Sequence, residues 1–150
     1  MDTTLHQLIE MTHYLGDPNK NFAMLGEGNT SARIDEDTFY VKASGTSMGT
    51  IGADGFIKVS ISKVVRILDD PNAGDADVTR NFEESLIDSN ETRRPSTEAM
   101  LHATLLQVPE YAFVGHAHPV YTNMLMSSVK AEEAAQGRMF PDQIVSMGPK

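Results

Sequence analysis

The chain contains no cysteine in its 150 residues. That excludes disulfides and thiolate metal ligands, and it gives the expectation of a reducing, cytoplasmic setting. Long apolar runs are absent too: no stretch approaches the ~20 residues needed to span a bilayer, so no membrane partner is expected. The N-terminus, MDTTLHQLIE, lacks the basic segment that opens a secretory signal peptide. Positive charge is scarce, with 12 Lys and Arg against 21 Asp and Glu and a net charge of −9. A field of that sign opposes broad contact with a phosphate backbone, so no nucleic-acid partner is expected. A small anion held locally by a few backbone N–H groups remains compatible with it.

What is present suits one globular domain with a real core, at 40% hydrophobic and 22% charged residues. Leu5, Leu8, Ile9 and Thr12 recur at helical spacing, and Gly16 stands where such a helix would stop. Ser31 to Ile34 and Phe39 to Ala43 read as short strands joined by an acidic turn at Asp35–Asp37. From Lys58 the pattern turns helical, with Ile61, Val64, Val65 and Leu68 on one face. Asp70 to Asp77 reads as an exposed loop. Pro95-Ser96-Thr97 then opens a helix from Glu98 to about Gln107, with Leu101, Leu105 and Leu106 as its apolar side. Tyr111 to His118 reads as a strand, Pro119 to Ser128 as a helix, and Gln143 to Met147 as the start of another strand. Short strands alternate with helices, which defines an α/β class layered around a sheet.

Within the strand lies FVGHAHP, Phe113 to Pro119. Residues i and i+2 of a strand point to the same face, so His116 and His118 project side by side. Neutral imidazole is a common ligand for divalent transition metals, and one rigid strand presenting two of them favours a metal over a pair of core histidines. Glu98 falls in the first turn of a helix, where a lone acid is unremarkable because the helix dipole favours it. His102 lies one turn on, on the same face, and reads as a packed histidine beside a site or as a further ligand. GEGNTSAR (Gly26 to Arg33) and ASGTSMG (Ala43 to Gly49) are rich in Gly, Ser and Thr. Such stretches let backbone N–H groups and hydroxyls approach an anion, although each alone also reads as an ordinary turn. Neither is a Walker loop or a dinucleotide fingerprint.

The order of four motifs is more specific than any one of them. G-N-T-S (Gly28–Ser31), K-A-S-G-T (Lys42–Thr46), R-P-S-T-E (Arg94–Glu98) and H-A-H-P (His116–Pro119) together resemble the class II aldolase/adducin family. That family includes fuculose- and rhamnulose-phosphate aldolases and ribulose-phosphate 4-epimerase. The resemblance runs from about Leu25 to Met126 and implies a three-layer α/β/α sandwich around a mixed, mostly antiparallel sheet. It implies that His116 and His118 are two of three zinc-binding histidines, with another divalent metal as the variant. Glu98 would be the acid/base beside the metal, and Asn29, Ser44, Gly45, Ser96 and Thr97 would line the site for a phosphate or equivalent anion. The implied activity is a zinc-dependent aldolase acting on a sugar phosphate or related hydroxy-carbonyl compound through an enediolate, in a homo-oligomer, a tetramer by resemblance.

A sugar-phosphate 4-epimerase of the same family and a nonenzymatic, adducin-like interaction domain are the alternatives. An amidohydrolase-type hydrolase also carries H-x-H on a strand, but early in a barrel of about 250 residues. The family's third histidine normally follows several tens of residues after the pair, and no histidine follows His118. The expectation is that residues 1–150 are a class II aldolase/adducin-like domain truncated at its C-terminal end.

Overall fold

The structure, a computed structural model, describes residues 2–136. The strand expected at Gln143 to Met147 lies outside the described residues. Four strands form one antiparallel sheet in the order β3-β2-β1-β4: β1 (Gly28–Arg33), β2 (Thr38–Lys42), β3 (Phe56–Ser60) and β4 (Phe113–Ala117). Helix α1 (Thr3–Gly16) covers one face. The other face carries α2 (Ile61–Val65), α3 (Asp75–Ser85) and α4 (Ala99–Leu106). Helices α5 (Val120–Met126) and α6 (Ala131–Ala135) follow β4.

The alternation of side chains along the strands makes two cores. Phe39, Val41, Ile57 and Val59 point to the α2–α4 face and pack with Val64, Phe82, Ala99, Ala103 and Leu106. Their neighbours Ala32, Tyr40 and Phe56 point the other way and pack with Leu8 and Ile51 under α1. This is a sheet with helices on both sides, the three-layer α/β/α sandwich expected. Among the described residues no helix is long and apolar enough to cross a membrane.

Several local readings are corrected. The strand expected from Ser31 starts earlier, at Gly28, so Gly28–Thr30 is strand and not turn, and Asn29, Thr30 and Ser31 are fully buried in β1. Lys58 to Ser60 ends β3, and the helix begins only at Ile61, because the Ser60 hydroxyl accepts the Lys63 N–H at 3.2 Å and caps it. Asp37 reinforces that start, accepting from the Ser60 hydroxyl at 2.6 Å and the Ser62 N–H at 2.7 Å. Leu68 is exposed, in a 3₁₀ turn that follows α2. The end of the supposed loop, Asp75 to Asp77, is the first turn of α3, where acids are favoured by the helix dipole. In α4 the buried face is Ala99, His102, Ala103 and Leu106, while Leu101 and Leu105 are exposed.

Two clamps, one of backbone hydrogen bonds and one from the Arg33 guanidinium, place α4 against the sheet. At its start, Ser96 N–H donates to the Lys42 carbonyl (3.3 Å) and Ser44 N–H to the Arg94 carbonyl (2.9 Å), so residues 94–96 run beside the end of β2. At its end, Arg33 of β1 donates to the carbonyls of Leu106 and Val108. Glu98, immediately before α4, is thereby delivered to the end of the sheet where β1 and β4 lie.

Candidate metal centre and anion cleft

Asn29 of β1 pairs with His116 of β4 in the sheet register, and Ser31 pairs with Val114. All four side chains share the face that looks toward α4. His118 follows β4 and is held by a bridge to Ala23. The two imidazoles stand as the two-residue spacing requires, with ring centroids 4.8 Å apart. Glu98 reaches both: Oε2 lies 3.2 Å from His116 Nδ1 and Oε1 lies 3.7 Å from His118 Nε2. One ligand atom from each of Glu98, His116 and His118 lies within 4.8 Å of the others.

These residues fit a divalent cation on two counts. His116 Nδ1 is buried and lacks a hydrogen-bond partner, despite its proximity to Glu98, because the contact falls outside hydrogen-bond geometry. A buried ring nitrogen without a partner is costly, and a cation among the three side chains would satisfy it. Two imidazoles and one carboxylate also form a donor set that zinc uses in catalytic sites. The third histidine implied by the family resemblance has no counterpart among the described residues.

His102 lies behind the pair, with its ring centroid 6.3 Å from that of His116. It is fully buried, and its Nδ1 is 2.7 Å from Ser31 Oγ. Burial, and secondarily the charge of His116, depresses its pKa to about 4, so it is neutral near neutral pH. It does not join the group of three ligand atoms and is the packed histidine of the two readings. Its Nε2 and the Asn29 Nδ2 are buried without partners beside it.

Beside Glu98 and His118 lies an open cleft of about 630 Å³, lined by these two residues and by Ser44, Gly45, Ser96 and Thr97, among others. Four of the five residues expected at the anion site line it. Asn29 does not, and sits behind the cleft against the histidines. The N–H groups of Ser44 and Ser96 are committed to the Arg94 and Lys42 carbonyls. Gly45, with φ of +81°, sits at the exposed tip of the turn.

Two cleft residues escaped the sequence reading. Lys42 ends β2 almost wholly buried, with Nζ donating to the Thr46 carbonyl at 2.7 Å. Burial lowers its pKa, against the opposing pull of the Glu98 carboxylate. It stands in the K-A-S-G-T motif, but its position in the cleft is visible only once β2 is placed. Glu27 is the other, with Oε2 3.6 Å from His118 Nδ1.

The chain belongs to the family described as the class II aldolase and adducin N-terminal domain, whose profile matches residues 6–145. A methylthioribulose-1-phosphate dehydratase of Microcystis aeruginosa is 26% identical over 112 residues, covering 73% of this chain and 45% of that protein. The chain thus spans less than half the length of that curated relative. Among solved structures, the N-terminal class II aldolase domain of a conserved protein from Thermoplasma acidophilum aligns with a TM-score of 0.74 at 23% identity, over 90% of this chain and 64% of that one. An L-fuculose 1-phosphate aldolase aligns with a TM-score of 0.55 at 17% identity, over 83% of this chain and 48% of that one. These likenesses are of fold.

Proposed function

We propose that this chain carries the metal centre and anion cleft of a zinc-dependent lyase that cleaves or forms a C–C bond in a phosphorylated ketose, as a homo-oligomer. The observation that carries the reading is the convergence of Glu98, His116 and His118 beside a cleft lined by Ser44, Gly45, Ser96 and Thr97. Hydroxyls and the turn at Gly45 suit the phosphate end of such a substrate and hold its carbonyl toward the histidines. His116 and His118 would hold a divalent cation, which when bound would supply Lewis-acid polarisation of the ketose carbonyl. In cleavage Glu98 takes the hydroxyl proton of the departing fragment as that fragment becomes an aldehyde and the bond to the carbon next to the carbonyl breaks. It then returns the proton to that carbon; synthesis runs the same transfers in reverse.

A second reading is favoured by the 26% identical dehydratase. There the same carboxylate would take the proton from the carbon next to the carbonyl, and the hydroxyl on the following carbon would leave as water. The two reactions share a site and a proton position and differ in which bond breaks. Retention of both histidines and Glu98 speaks against an adducin-like domain without turnover.

The test is metal analysis of the purified chain and of His116→Ala, followed by assays on ketose 1-phosphates that read triose phosphate release and dicarbonyl formation separately. We expect metal in the parent protein, its loss in the variant, and one of the two products. Equal metal content in both proteins overturns the reading. Glu98→Gln retains metal and loses roughly 10²-fold or more in turnover if Glu98 moves the proton. Loss of metal makes it a ligand instead.

A further inference from the structure

Glu27 stands at the mouth of the cleft in a turn with unusual backbone. Residues Met24–Gly26 form one 3₁₀ turn, and Leu25 within it has φ of +53°. A bulky side chain rarely adopts that left-handed region, so surrounding contacts must hold the turn there. Those contacts run to the histidine segment. Met24 N–H donates to the His118 carbonyl (3.3 Å), Ala23 bridges to His118, and Val120 N–H donates to the Asn21 carbonyl (3.0 Å). Glu27 N–H closes the turn onto the Met24 carbonyl at 2.9 Å. Gly28 follows with φ of +124°, and a Cβ there would lie 2.6 Å from the His116 carbonyl, so the chain passes directly against β4.

The turn that carries Glu27 is therefore fastened to the residue whose ring Glu27 faces. His118 lies between two carboxylates, with Nε2 3.7 Å from Glu98 and Nδ1 3.6 Å from Glu27. If Nε2 faces a cation, the ring proton must reside on Nδ1, the nitrogen nearer Glu27. Metal-bound histidines commonly donate their second N–H to a carboxylate, which fixes ring orientation and raises ligand basicity. At 3.6 Å the contact is longer than a hydrogen bond. The Glu27 side chain is exposed, so nothing packed around it fixes it at that distance.

We infer that Glu27 is a positioning residue for His118, holding its proton on Nδ1 and so presenting Nε2 to the cation. The inference rests on the metal centre proposed above. Glu27 touches no reacting atom in this role and acts through the imidazole.

The experiment uses the full chain as wild type, Glu27→Gln and Glu27→Ala, with far-UV circular dichroism confirming an unchanged fold. Nitrogen-15 NMR of the His118 ring, in the metal-free protein at a pH where the ring is neutral, reads the tautomer. The Nδ1–H fraction falls in Glu27→Ala, and Glu27→Gln, which keeps an acceptor, retains most of it. Zinc affinity by chelator competition falls by about 10- to 100-fold in Glu27→Ala and by less in Glu27→Gln. An unchanged tautomer ratio in Glu27→Ala overturns the inference, as does zinc affinity within twofold of wild type. A wild-type protein that binds no zinc defeats the proposed metal centre, and the tautomer ratio still decides whether Glu27 directs the ring.

Discussion

His102 shows how a single buried residue couples the site to stability. Its imidazole stays neutral in the folded protein down to about 4, against an ordinary 6.5. The unfolded chain takes up that proton at higher pH than the folded one does. The stabilisation is therefore complete above 6.5 and is lost as pH falls toward 4, by up to about 3 kcal/mol. Urea unfolding of metal-free protein across that window should show wild type losing stability more steeply than His102→Gln; parallel curves would remove His102 as the cause. At this scale the sequence was legible where a period governs the side chain. The i, i+2 spacing alone puts His116 and His118 on one face. Lys42 and Glu27 were not legible, because the position of one depends on burial at a strand end and of the other on a turn tied to a distant segment.

Elements were legible where their boundaries carry strong punctuation, as in α1 and the acidic turn before β2. They were misread where composition misleads. Asp75 and Asp77 look like loop residues but favour the first turn of α3, and Lys58 hid a strand that is otherwise buried on both faces. Gly16 was read correctly as the end of α1, for a different physical reason. Its backbone is not left-handed; it lies against the 43–49 turn, where a Cβ would sit 2.5 Å from Gly49 N and the Met48 carbonyl carbon. Gly16→Ala would gain at most about 1 kcal/mol of helix propensity. Crowding backbone costs about 1–3 kcal/mol, so the net change is destabilising. The displaced turn carries Ser44 and Gly45, so inorganic phosphate should bind more weakly as well. Thermal denaturation and phosphate titration of this variant check both, and a more stable variant would show that the contact relaxes freely.

Across the whole molecule, the α/β class followed from the alternation of strands and helices, and the three layers with a mostly antiparallel sheet followed from the family resemblance. The outer surface did not. Leu101 and Leu105 are exposed on α4, and Val108 is exposed just after it. Exposed leucines of that kind lead to the expectation of self-association. Sedimentation of wild type should show concentration-dependent assembly, and Leu101→Lys with Leu105→Lys should raise the monomer fraction without altering the circular dichroism spectrum. A wild type monomeric at every concentration would refute this. The pairing of Asn29 with His116 has a last consequence, for how this chain tolerates change in length. Because alternate residues of a strand face opposite ways, sliding β4 by a single position carries His116 to the α1 side and brings Gly115 or Ala117 to the side facing Glu98. A one-residue deletion between Gln107 and Ala112 that is absorbed by such a slide would thus abolish the centre as thoroughly as mutating its ligands. Away from the ligands, substitutions can wear this site down gradually, whereas insertions and deletions there switch it off in one step.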